Sequence, residues 1–143
     1  MGSSEPEIAL LSEQQITQSN ESDYMNEQQL AFFKDRLIKL YDSTRDRIQE
    51  AREQMLIPPA LSDESDRASW EEQCAISMRI VDREQKLLPK IQLSLERIRL
   101  GTYGYCLETG EPIGIPRLLV RPTAEFCADV KSIQEMKEHI YRD

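Results

Sequence analysis

Only three cysteines (Cys74, Cys106, Cys127), one histidine and one tryptophan occur among the 143 residues. Three thiols are an odd count and too few for a disulfide scaffold in a chain of this size, so reduced thiols are expected. No stretch approaches the roughly 18 unbroken apolar residues of a membrane span. The N-terminus also lacks the basic-then-apolar order of a secretory signal. The chain is therefore read as cytoplasmic, with no membrane partner. Basic residues are in deficit, 18 against 26 acidic ones, for a net charge of −8. That sign repels phosphate backbones and argues against direct sequence-specific DNA binding. What is present, 39% hydrophobic and 31% charged residues, fits one folded domain at the charged end of the usual range.

The first 25 residues carry Glu5, Glu7, Glu13, Glu21 and Asp23 and no basic residue. With only scattered apolar residues, Ile16 among them, residues 1–25 read as an acidic flexible tail, or at most one loosely docked turn. Asn26 followed by Gln29 has the form of a capping box, and Leu30, Phe33, Leu37 and Leu40 then recur at helical spacing. The strip continues through Ile48, Ala51 and Met55 until Pro58 and Pro59 stop it. A second pattern runs from about Asp66 to Leu100. There Cys74, Val81, Leu88 and Leu95 fall seven apart, Ile91 and Ile98 fill the alternate seam positions, and Ser77 and Glu84 weaken them. Two helices of matched length with a short link predict an antiparallel coiled-coil hairpin over 26–100, with its tip near 57–66. Pro89 predicts a kink and not an end, because the spacing resumes at Ile91. Gly101 supplies a helix stop.

From Thr102 the texture changes. Gly104, Gly110, Pro112, Gly114, Pro116 and Pro122 punctuate short segments, which read as a small turn-rich head over 101–143. A last helix is predicted from about Cys127 to Arg142, with Val130, Ile133, Met136 or Lys137, and Ile140 at helical spacing and Asp129 in its first turn. The fold class is mainly α: a long hairpin, a small zinc-finger-like head without metal, and a C-terminal helix.

The spacing of Cys106, Thr109, Cys127 and Val130 is that of a four-ligand zinc knuckle, but only two of the four are thiols. Threonine is a poor zinc ligand and valine cannot ligate. Glu108, Asp129 and His139 are substitute donors, though structural zinc prefers thiolate and imidazole. A catalytic cysteine lacks a nearby histidine, and His139 reads as a surface residue of the last helix. No zinc and no enzymatic activity are expected.

The runs Gly101-Thr102-Tyr103-Gly104-Tyr105-Cys106, Gly114-Ile115-Pro116-Arg117-Leu118 and Arg121-Pro122-Thr123-Ala124 up to Cys127 closely resemble the DksA family of bacterial RNA polymerase-binding proteins. The resemblance covers residues 26 to 143. It reaches back to Asp63-Glu64-Ser65-Asp66-Arg67-Ala68, which fits the family's tip pattern of two aspartates three apart followed by alanine. Ordinary members carry four cysteines in the head, so this chain is similar to a zinc-independent variant.

The resemblance implies a monomer whose coiled coil enters the secondary channel of RNA polymerase, with Asp63, Asp66 and Ala68 acting near the active-site region. It also implies that Leu87, Lys90, Arg121 and Lys131 form one side of a guanosine tetraphosphate (ppGpp) site shared with polymerase. Together they imply control of promoter-complex stability in the stringent response. Without the family, Ser62, Asp63 or Asp66 would simply cap the second helix, and the three cations would be ordinary exposed charges. Two other functions suit parts of the pattern: a Gre-like factor that stimulates transcript cleavage through its tip acids, and a thiol redox sensor using Cys106 and Cys127.

Overall fold

Asn26 begins the first long helix, as its side chain implies. Its Oδ1 accepts the backbone N–H of Gln29 at 2.9 Å. The reciprocal bond of the box goes one residue further back, from the Met25 N–H to Gln29 Oε1. The computed structural model describes residues 10–56 and 64–141, apart from the side chains at 129, 131, 132 and 139–141. In chain order it contains α1 (Glu13–Thr17), a 3-10 turn (Glu21–Asp23), α2 (Glu27–Leu56), α3 (Glu64–Leu100), α4 (Ile115–Val120) and α5 (Ala128–Tyr141). No strand occurs among the described residues, only an isolated antiparallel bridge between Tyr105 and Pro112. The fold is mainly helical, with α2 and α3 paired as a hairpin, and it divides into two units.

In the unit Ile38–Leu93 the helices run antiparallel. Tyr41 meets Gln92, Arg47 meets Glu84, and Gln54 meets both Gln73 and Ser77. On α3 the buried positions are Ser77, Glu84 and Ile91, seven apart, and on α2 they are Thr44, Ile48 and Ala51. The track with two polar residues is thus the deeply buried one, while Cys74, Val81 and Leu88 are only half-buried. Its polar groups are paired: Arg47 reaches Glu84 Oε2 at 3.2 Å and the Thr44 hydroxyl at 3.1 Å. α3 continues unbroken through Pro89, so the proline does not end it.

The Glu84 side chain is 8% exposed and that of Arg47 43%, which makes the pair asymmetric. Arg47→Leu is expected to cost roughly 2 kcal/mol, because it strands a buried carboxylate, whereas Glu84→Leu releases an arginine that water can reach and is neutral or stabilising. The residual stabiliser in the first case is Arg83, 3.6 Å from Glu84. Denaturant unfolding of the two variants checks the opposite signs.

The other unit comprises the chain up to Leu37 and from Ser94 onward. α3 ends in a Schellman motif: Gly101, at φ +81°, donates to the Ile98 carbonyl and Thr102 to that of Arg97. A left-handed turn of this kind favours glycine, as the sequence indicated. The core gathers Ile16, Phe33, Leu37, Tyr103, Cys106, Ile113, Leu118, Ala124 and Val130. Two expectations are corrected here. Residues 12–25 are not a flexible tail: α1 carries a complete capping box between Ser12 and Gln15, and Ile16 is fully buried. The segment read as turns around Pro116 contains α4, whose first turn holds that proline, a placement that proline's fixed φ favours.

Candidate functional site

At the hairpin end, α3 starts at Glu64, two residues before the expected point. Asp66 therefore stands inside the first turn of α3 and is not its N-cap, which corrects one of the alternatives. Asp66 and Ala68 are exposed, on a helix end whose peptide dipoles favour a carboxylate. Asp63 lies outside the described residues.

In the head, residues 106–111 form a tight turn. Cys106 N–H donates to the Glu111 carbonyl, and the Cys106 carbonyl accepts from Gly110. Leu107 N–H bonds the Glu125 carbonyl at 2.9 Å, tying the turn to the strand of chain that leads to Cys127. Cys106 is buried. Burial opposes ionisation of its thiol, but the Thr109 hydroxyl and the backbone N–H groups of Cys127, Thr109 and Glu108 outweigh it and bring the thiol down to about 6. The Thr109 hydroxyl also accepts from the Glu111 N–H at 3.2 Å, so it braces the turn from inside. Val130, in the first turn of α5, is buried. Cys127 and Cys74 are half-buried, and neither is in a disulfide. Among the described residues, no three His, Cys, Asp or Glu side chains come together in a group able to hold a metal ion; the His139 and Asp129 side chains are outside that description.

The residues expected to meet ppGpp divide between the units. Leu87 and Lys90 lie three apart on α3 and so share a helical face, Leu87 half-buried and Lys90 exposed. Arg121 is exposed at the C-cap of α4, its N–H bonded to the Arg117 carbonyl. Lys131 lies in the first turn of α5, with its side chain undescribed.

Sequence reasoning missed the residues that join the N-terminal segment to the head. Tyr24 donates its hydroxyl to the Gly104 carbonyl and accepts the Gly114 N–H at 2.9 Å. Arg36 bonds Glu13 of α1 at 3.2 Å and the Leu119 carbonyl of α4 at 3.3 Å. These contacts span 23 to 90 positions and leave no local periodicity by which to find them.

Comparison with known proteins gives one family across nearly all of this arrangement. Residues 29–98 match "DnaK suppressor protein DksA, N-terminal domain", and residues 101–135 match "Prokaryotic dksA/traR C4-type zinc finger". The RNA polymerase-binding transcription factor DksA of Caulobacter vibrioides is 36% identical over 129 residues, covering 87% of this chain and 89% of that protein. The protein of the same description from Escherichia coli is 39% identical over 117 residues, covering 81% of this chain and 78% of that one. Among solved structures, transcription factor DksA2 from Pseudomonas aeruginosa superposes with a TM-score of 0.77 at 43% identity, covering 90% of this chain and 99% of that one.

Proposed function

This chain belongs to the DksA family, and from that premise we propose that it is an RNA polymerase-binding transcription regulator that works with ppGpp and without zinc. The observation that carries the reading is that both family segments are present in order, 29–98 and 101–135. The function is regulatory, not enzymatic. In this reading the hairpin enters the secondary channel, where the acids at its end act on the promoter complex. The net charge of −8 suits a partner made of protein better than bare duplex. The experiment is in vitro transcription with purified bacterial RNA polymerase, with and without ppGpp. A change in open-complex lifetime that ppGpp enlarges is expected. An unchanged lifetime at saturating protein, or stimulated transcript cleavage in its place, overturns the reading.

The zinc-free part rests on donor chemistry. A structural zinc site takes four Cys, His or acidic donors. Here the Thr109 hydroxyl accepts from the Glu111 N–H, and Val130 presents a buried hydrocarbon. These residues do not fit zinc. Burial serves in its place, at roughly 1.5 to 3 kcal/mol per large side chain fully removed from water, as for Leu118 and Tyr103. Purified protein is expected to contain no stoichiometric zinc and to melt at the same temperature with and without chelator. One zinc per chain, or loss of structure on chelation, would refute this.

A further inference from the structure

The head contains two glycine-bearing segments that have to be held against each other, around Gly104 and around Gly114. Two backbone bonds join them as a short antiparallel bridge, from Ile113 N–H to the Gly104 carbonyl and from Cys106 N–H to the Glu111 carbonyl, both at 2.8 Å. A further connection comes from outside the head, through the Tyr24 hydroxyl. It donates to that same Gly104 carbonyl and accepts from Gly114 N–H, so a single oxygen spans both segments. The Tyr24 ring also packs edge-on against Tyr105, centroids 5.6 Å apart.

Met25 completes the closure. Its side chain fills the space in which any Cβ on Gly104 would sit, with Cγ and Sδ at 2.8 Å, and Gly104 itself is at φ +90°. Met25 is the one non-glycine residue at positive φ among those described, at +55°. Side chains adopt that conformation only where their surroundings over-determine it. The surroundings are on the page: Met25 N–H is held by Gln29 Oε1, Gln29 Nε2 by the Ser19 hydroxyl, and the Ser19 hydroxyl donates to the Ile16 carbonyl. Ile16 is fully buried, α1 packs on α4, and Arg36 links Glu13 to the end of α4.

We propose that Ser12–Met25 is a strap that closes the head, with the Tyr24 hydroxyl and the Met25 side chain bracing the Gly104 and Gly114 segments against each other. The proposal goes beyond the zinc-free reading and does not depend on it. The strap ties an N-terminal segment to the head by side-chain contacts alone, so its release would open the head without any change in the paired helices of the other unit.

The test is amide hydrogen exchange on the full chain, for wild type, Tyr24→Phe and Ile16→Ala, with zinc content measured on each preparation. Tyr24→Phe keeps the ring and removes only the bridging oxygen. Losing one hydrogen bond should speed exchange at Gly114 by up to about tenfold, with protection of Ile38–Leu93 unchanged. Ile16→Ala should speed exchange at Gly114, and at Ile113 as well. Wild-type protection at Gly114 in both variants overturns the strap. Zinc in the wild-type protein would instead refute the metal-free reading, and Gly114 exchange would still decide whether the strap closes the head. Should Ile16→Ala fail to fold, Tyr24→Phe alone carries the comparison.

Discussion

With Asp63→Asn and Asp66→Asn combined, the effect on open-complex lifetime is expected to disappear while polymerase binding changes by no more than about twofold, the scale of an ordinary surface substitution. The two readings of these acids differ in what the variant should lose. If they serve the helix, removing negative charge from the first turn of α3 costs stability, about 0.5 to 2 kcal/mol where a cap is lost, and activity falls only in proportion to folded protein. If they act on the promoter complex, melting and affinity hold while regulation fails. Asp66 is exposed in that first turn, where its charge suits the helix end. Measuring open-complex lifetime, affinity and melting on one preparation separates them. Retained regulation in a fully folded double variant would end the tip assignment.

The long helices were legible because they repeat. Asn26 caps one as its position implies, and seven-residue spacing on α3 located its seam. Which seam positions lie deepest was not legible from apolar residues alone: Ser77, Glu84 and Thr44 are buried because each finds a hydrogen-bond or charge partner, which hydropathy does not record. The strap was illegible for a different reason. Tyr24 earns its position through partners 80 and 90 residues away, and Ile16 is a lone apolar residue in a short helix, so neither belongs to a period. In the head, the glycines marked the turns correctly, yet Pro116 reads as turn or first helical turn with equal ease, and only packing of Leu118 decides for α4. The Cys106, Thr109, Cys127 and Val130 frame was legible as spacing. That the Thr109 hydroxyl accepts the Glu111 N–H across the turn depends on how the turn folds.

Lys90→Ala, Arg121→Ala and Lys131→Ala are each expected to abolish most of the ppGpp enhancement while leaving the activity measured without ppGpp intact. Lys90 and Arg121 are both exposed, and salt at physiological strength screens such charges within about 8 Å. Isolated surface cations of this kind bind weakly, so the protein alone should show no saturable ppGpp binding, and binding should appear only with polymerase. Pro89 stands between Leu87 and Lys90, where a broken helix would separate the apolar contact from the cation. α3 is unbroken there, so the three-residue spacing keeps both on one face. Leu87→Ala should consequently weaken the enhancement in the same direction as Lys90→Ala. Each variant is compared with wild type at fixed polymerase occupancy, with ppGpp titrated against open-complex lifetime. Equal enhancement in all of them would show that these four residues do not form the nucleotide site, whereas selective loss in the α3 pair alone would confine the site to Leu87 and Lys90 and remove Arg121 and Lys131 from it.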